Sequence, residues 1–195
     1  MRFLKWFLII TVVFVGLVYI VGMMLPGDVR VERSATIEAP VEVIQPYTTD
    51  LELWQEWEPW GEEDDSMRVR FGEARKGVGA SYSWSGEIIG QGTLQIIAIE
   101  PGERVDYILY FAGDEEAPAY SSFEFNPLDA DTTAVIWSFE ADLGHNPISR
   151  LLGRLVDGIL GRFYEAGLEN LARVAEHSAE TARAADAEGA SEPAT

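Results

Sequence analysis

The chain has 195 residues, with 33 acidic and 14 basic side chains, a formal net charge of −19 and no cysteine. That length suits one domain with a real core plus an appendage. The composition excludes a disulfide framework, a thiolate metal site and a cysteine nucleophile, and the acidic excess argues against nucleic acid as a partner.

The charge is unevenly placed. Residues 1–27 hold Arg2 and Lys5 and no acid, so residues 28–195 carry 12 bases against 33 acids, a net of −21. From Trp6 to Leu25, twenty positions carry no charge. At about 1.5 Å per residue, a helix of that length spans the roughly 30 Å hydrocarbon core of a bilayer. The segment closes with Gly22-Met23-Met24-Leu25-Pro26, which offers no small-residue cleavage pattern, so an uncleaved anchor is expected rather than a signal peptide. Arg2, Lys5 and the amino terminus favour a single-pass protein of the inner membrane with its N-terminus inside. The following domain is then expected on the periplasmic, extracytoplasmic side. Such an acidic body is not expected to dock on anionic lipid, which leaves residues 6–25 as its hold on the membrane.

After Pro26-Gly27 the pattern alternates. Val29, Val31, Arg33, Ala35 and Ile37 share one side of a predicted strand. Pro40 suits the first position of a short helix over 41–47, in which Pro46 forces a break. Thr49 and Glu52 have capping-box spacing for a second short helix over 51–56. Six strands are then predicted over 67–71, 80–87, 92–100, 104–111, 119–126 and 132–142. They are separated by turn residues such as Pro101-Gly102 and Gly113-Asp114. Connections this short require antiparallel neighbours.

Asn146-Pro147 is a helix start, and apolar residues from Leu152 to Val174 recur at three- and four-residue intervals. Residues 178–195 lack large apolar side chains and are expected to form a disordered, acidic, Ala-rich tail. The three parts are therefore an anchor over 1–27, a domain over 28–177 and a tail over 178–195. One amphipathic helix and one antiparallel sheet must each bury a face. The economical α+β arrangement packs the helix across a curved seven-stranded sheet.

Several residues are candidates for a ligand site. Trp54, Trp57 and Trp60 stand at three-residue spacing and either fill a core or wall a cavity. Strand alternation places Tyr82 with Trp84, Tyr107 with Leu109 and Phe111, Phe123 with Phe125, and Trp137 with Phe139. These face Leu155, Ile159 and Phe163 of the helix, and alternation does not separate core from cavity lining. Gly153, Gly158 and Gly161 in that helix either make room for a ligand or allow close packing on the sheet. The acidic run Glu52, Glu56, Glu58, Glu62, Glu63, Asp64 and Asp65 lacks the order of a calcium loop and reads as a solvated loop. No metal, cofactor or catalytic residue is assigned, and His145 and His177 are read as structural, the latter meeting a helix end. Tyr82 and Tyr107 are the nearest candidates for acid–base work.

The sequence resembles the START-like (SRPBCC) superfamily, above all its polyketide cyclase/dehydrase-type members, many of them bacterial. The matching pieces are Ile37-x-Ala39-Pro40, Asp50-x3-Trp54-x2-Trp57-x-Pro59-Trp60, Gly77-x-Gly79-Ala80-x-Tyr82-x-Trp84-x-Gly86, Gly90-x-Gly92 and Phe163-Tyr164-Glu165-x-Gly167-Leu168, within residues 29–175. The resemblance implies a helix-grip fold with a tunnel-like cavity between sheet and helix that takes an apolar small molecule or lipid. It implies no particular reaction. The expected function is non-catalytic binding of such a molecule beside the bilayer. The alternatives are a cyclase- or hydratase-type enzyme, or a protein-interaction module.

Overall fold

The computed structural model describes residues 2–112 and 116–191. The Gly113-Asp114 turn and residues 192–195 of the expected tail therefore lie outside the described residues. Helix α1 (Arg2–Met24) is exposed over nearly its whole length. Its Phe3–Met24 stretch has a mean hydropathy of 2.7, long and apolar enough to cross a membrane.

Strand β1 (Asp28–Ile37) is followed by two one-turn helices, α2 (Val41–Ile44) and α3 (Pro46–Thr49), with Pro46 opening the second. A 3₁₀ turn over Leu53–Glu56 and a short α4 (Trp60–Glu63) come next. The expected capping box is not formed. Thr49 Oγ1 donates back to the Gln45 carbonyl, and Asp50 Oδ1 instead accepts the Glu52 amide at 3.0 Å. Aspartate, one residue later, supplies the stronger acceptor.

Six strands follow: β2 (Arg68–Phe71), β3 (Ser81–Gly86), β4 (Gly90–Glu100), β5 (Arg104–Phe111), β6 (Ala119–Pro127) and β7 (Thr133–Asp142). They form one antiparallel sheet in the order β1-β7-β6-β5-β4-β3-β2. The first strand thus pairs with the last, from Asp28 opposite Asp142 to Ile37 opposite Thr133. Gly90 and Gly102, both at positive φ, serve the β3–β4 and β4–β5 turns, where a side chain would be strained.

Helix α5 (Pro147–Ser191) crosses the concave face and lies chiefly along β1. Asn146 caps it as expected, its Oδ1 accepting the Ile148 amide at 2.9 Å. The helix does not stop at residue 177, which corrects the expected tail over 178–191. Ala179 is buried, Ser178 shares a hydrogen bond with Tyr47, and Arg183 pairs with Asp131. Alanine, glutamate and arginine are strong helix formers, so the helix persists past its last large apolar residue. His177 consequently lies inside α5 and meets no helix end.

The helix glycines serve close packing on the sheet. A Cβ on Gly153 would overlap Leu143, one on Gly161 would overlap the Arg33 guanidinium, and one on Gly167 would stand 2.8 Å from the Trp137 ring. Gly158 faces open space. The sheet, rather than a ligand, occupies the room the other three leave.

Candidate functional site

One end of the concave face is filled with aromatic rings. Trp54 lies at the centre, 5.0 Å from Trp57, 5.5 Å from Tyr107, 6.1 Å from Tyr82 and 6.2 Å from Trp137 between ring centroids. Trp137 stacks on Phe123 at 4.8 Å and on Tyr164 at 3.8 Å, the latter nearly parallel at 8°. The indole donors are all satisfied: Trp54 donates to the Thr48 carbonyl, Trp57 to that of Tyr47, and Trp137 to Ser121 Oγ at 3.0 Å. Buried indole N–H groups require such partners, and these bonds fix the rings in place.

The three-residue tryptophan spacing therefore does gather its residues, although across a 3₁₀ turn and α4 instead of one helix. Trp54, Trp57, Tyr107, Phe123, Phe125 and Trp137, all expected to line a ligand site, are buried and packed on one another or on α5. Here the expected tunnel-like cavity gives way to packed side chains, because aromatic rings bury enough area to close the gap between sheet and helix.

The other end is open. Trp84, Leu109 and Phe111 share the concave face with buried Phe139, and the Phe111 ring lies 5.7 Å from Trp84 and 6.2 Å from Phe139. Phe111 is nevertheless 43 % exposed, while Trp84 and Leu109 are half-buried. Leu155 and Ile159 of α5, expected at the same site, are 58 % and 52 % exposed, while Val156 and Leu160 are the residues of that half of the helix that pack on the core. Trp60 and Phe163, half-buried with rings 4.7 Å apart, stand where α4 meets α5.

Two polar groups stand out: Glu58, which the sequence reading left in a solvated loop, and Tyr82, one of its two acid–base candidates. Glu58, one of the acidic run, is half-buried and accepts the Trp60 amide at 2.7 Å. Burial raises its carboxyl above the ordinary glutamate range, against the pull of the Trp60 and Gly61 amides. Tyr82 is 5 % exposed, and its hydroxyl makes no hydrogen bond among the described residues. Burial pushes its phenol up, and the Glu58 carboxylate adds to that shift. Tyr107, the other acid–base candidate, is committed to structure, donating to the Thr48 carbonyl at 2.6 Å. Asp64 is also structural. It accepts from the Ser66 hydroxyl and the amides of Ser66, Ile88 and Ile89, which hold its carboxyl down at about 2.

Two clefts open elsewhere. One, of about 390 Å³, lies among Arg30, Arg104, Ser122, Glu124 and Glu140; the other, of about 460 Å³, lies among Glu58, Asp64, Met67, Val69 and Phe71. Neither has a residue of α5 in its walls. Among the described residues no group of three or more His, Asp or Glu is arranged to hold a metal ion.

The sequence profile described as "Polyketide cyclase / dehydrase and lipid transport" matches residues 28–176. Solved structures share the fold at low identity. Protein CV1439 from Chromobacterium violaceum is 19 % identical, covering 78 % of this chain and 99 % of its own, with a TM-score of 0.50. The Zhui aromatase/cyclase from Streptomyces sp. R1128 is 15 % identical over 76 % and 94 %, with a TM-score of 0.53. A norcoclaurine synthase from Thalictrum flavum, in complex with a transition-state analogue, is 12 % identical over 77 % and 96 %, with a TM-score of 0.58. No curated protein matches the chain. At these identities the likeness is one of fold.

Proposed function

The chain belongs to the polyketide cyclase / dehydrase and lipid transport family, and from that premise we propose that it binds an apolar small molecule or lipid, without catalysis, beside a bilayer that α1 spans. The ligand lies in the open trough walled on the sheet by Trp84, Leu109, Phe111 and Phe139, whereas Leu155 and Ile159 of α5 stand exposed outside it. The observation that carries this reading is Phe111. It is 43 % exposed on a sheet face whose other large side chains are mostly buried, and an uncovered apolar wall of this kind takes apolar ligands.

The anchor reading draws on two features. The apolar helix runs unbroken to Met24, and its Gly22 packs on Pro147 at the start of α5, so α1 is joined to the domain. A cleaved leader has no use for such a joint.

Native mass spectrometry of the full chain in mild detergent, followed by organic extraction, tests the binding. One retained apolar molecule per chain supports it. A bare chain across several detergents, after expression in its own membrane, overturns it.

Catalysis on the bound molecule is a second reading, favoured by the unpartnered Tyr82 hydroxyl near Glu58. It requires that the extracted molecule be converted by the wild-type chain and left unchanged by Tyr82→Phe.

A further inference from the structure

Helix α5 carries an apolar stripe that no part of the domain covers. Ile148 is 60 % and Leu152 58 % exposed, and Leu155 and Ile159 continue the row at helical spacing. The segment 147–163 holds three arginines, Arg150, Arg154 and Arg162, and a single acid, Asp157, within a chain of net charge −19. Asp157 points away from the stripe and pairs with Arg33, whose Nη1 lies 3.1 Å from its Oδ1 and which also meets Glu165. Arg154 and Arg162 flank Gly158 at i−4 and i+4, and Gly158 faces open space. Neither arginine has an ion-pair partner among the described residues; Arg162 Nε donates only to the Gly158 carbonyl.

This stripe begins where α1 ends. Gly22 packs on Pro147, and Arg150 clamps the junction by donating to the carbonyls of Gly144 at 2.8 Å and Leu25 at 3.2 Å. The first turns of α5 are therefore held at the level where an apolar span leaves the hydrocarbon.

We propose that Ile148, Leu152, Leu155 and Ile159 lie in the surface of the bilayer that α1 spans, with Arg154 and Arg162 reaching anionic headgroups. The proposal rests on the anchor reading of α1. An amphipathic helix with basic flanks partitions into the interface in this way, its arginine stems lying along apolar surface and their heads at the phosphates. The acids next to this segment are Asp157 and Glu165, which share Arg33, and the exposed Asp28 and Asp142, which face each other across β1 and β7 at the junction. Glu58, Glu62 and Glu63 surround Trp60, beside Phe163, which limits docking to the first three to four turns. The mouth of the trough would then open onto lipid directly.

The cysteine-free chain makes the test direct. Single cysteines at Phe14, Leu152, Leu155 and Glu169 of the full chain are labelled with an environment-sensitive fluorophore in vesicles of phosphatidylcholine and phosphatidylglycerol. Labels at 14, 152 and 155 are expected to report an apolar surrounding and to be quenched by lipid-borne quenchers, while 169 stays aqueous. In pure phosphatidylcholine, or with Arg154→Glu and Arg162→Glu together, quenching at 152 and 155 is expected to fall at least twofold with 14 unchanged. A buried label at 14 with aqueous labels at 152 and 155 overturns the docking and leaves the anchor standing. Aqueous labels at all four positions overturn the anchor reading and the docking with it.

Discussion

The indole of Trp84 lies across Gly92, its partner on the neighbouring strand, so that a Cβ on Gly92 would overlap the ring and stand 2.7 Å from the Tyr110 carbonyl. The contact fixes one wall of the trough, since Trp84 in turn meets Phe111 edge to face. Gly92→Ala is expected to displace the indole and cost about 1–3 kcal/mol, the usual penalty of overpacking. Thermal unfolding of the full chain in detergent measures that cost, and near-UV circular dichroism reports the moved ring. Retained ligand is expected to fall with it.

Ser121 is the polar pin of the filled end. Its hydroxyl accepts from Trp137 Nε1, donates to the Ser138 carbonyl at 2.7 Å and lies 3.4 Å from the Tyr164 hydroxyl. Ser121→Ala leaves a buried indole donor without an acceptor and is expected to cost about 1–3 kcal/mol. Tyr164→Phe keeps the stack on Trp137 and loses only the long contact, so its cost is expected to stay below about 1 kcal/mol. Equal losses in denaturant titrations would contradict this division of roles.

Two carboxyls give opposite pH signatures. Glu58 titrates above the ordinary range in the fold because of burial, so the unfolded chain releases its proton first. Stability is expected to fall as pH rises from the ordinary glutamate range through the raised value, and Glu58→Gln is expected to remove that decline. Asp64, held at about 2 by the Ser66 hydroxyl and backbone amides, contributes stability above the ordinary aspartate range that is lost as pH falls towards 2. Asp64→Asn is expected to be less stable at neutral pH and to lack that acid-side loss. Melting temperatures from pH 2 to 8 separate the two.

Much of this architecture was legible in the sequence, and the gaps have physical causes. Period-two alternation located all seven strands, because most of them turn one face inward onto α5 or onto the tryptophans of the 53–57 segment. The same alternation placed Arg33 among Val31 and Ala35 on the inward face, but only the fold shows why it is tolerated there. Its guanidinium crosses α5 at Gly161 and meets Asp157 and Glu165. Whether Trp54 and Trp137 fill a core or line a tunnel was not legible, since both demand the same apolar residues at the same spacing. Tyr164, which stacks on Trp137, entered the sequence reading only within the Phe163-Tyr164-Glu165 piece of the family resemblance and not as a site residue, because spacing alone gives it no partner. Glu58 was hidden among acids that differ from it only in burial.

Exposed Phe111 admits a sharper test than any stability measurement. Phe111→Asp places a charge in the trough and disturbs little of the core, so retained ligand is expected to fall at least tenfold with the melting temperature nearly unchanged. Unaltered retention would move the site away from this wall.

The central claim is that an apolar molecule occupies the open end of the concave face. A diazirine-bearing fatty acid, photolysed with the full chain in native membranes and mapped by peptide mass spectrometry, addresses it most directly. Bulk lipid around α1 labels residues 3–24, whereas a bound molecule also labels Trp84, Leu109 or Phe111 inside the grip. Adducts on those three, competed away by excess unlabelled fatty acid, are the predicted result. Adducts confined to α1 and the exposed stripe of α5 would contradict it.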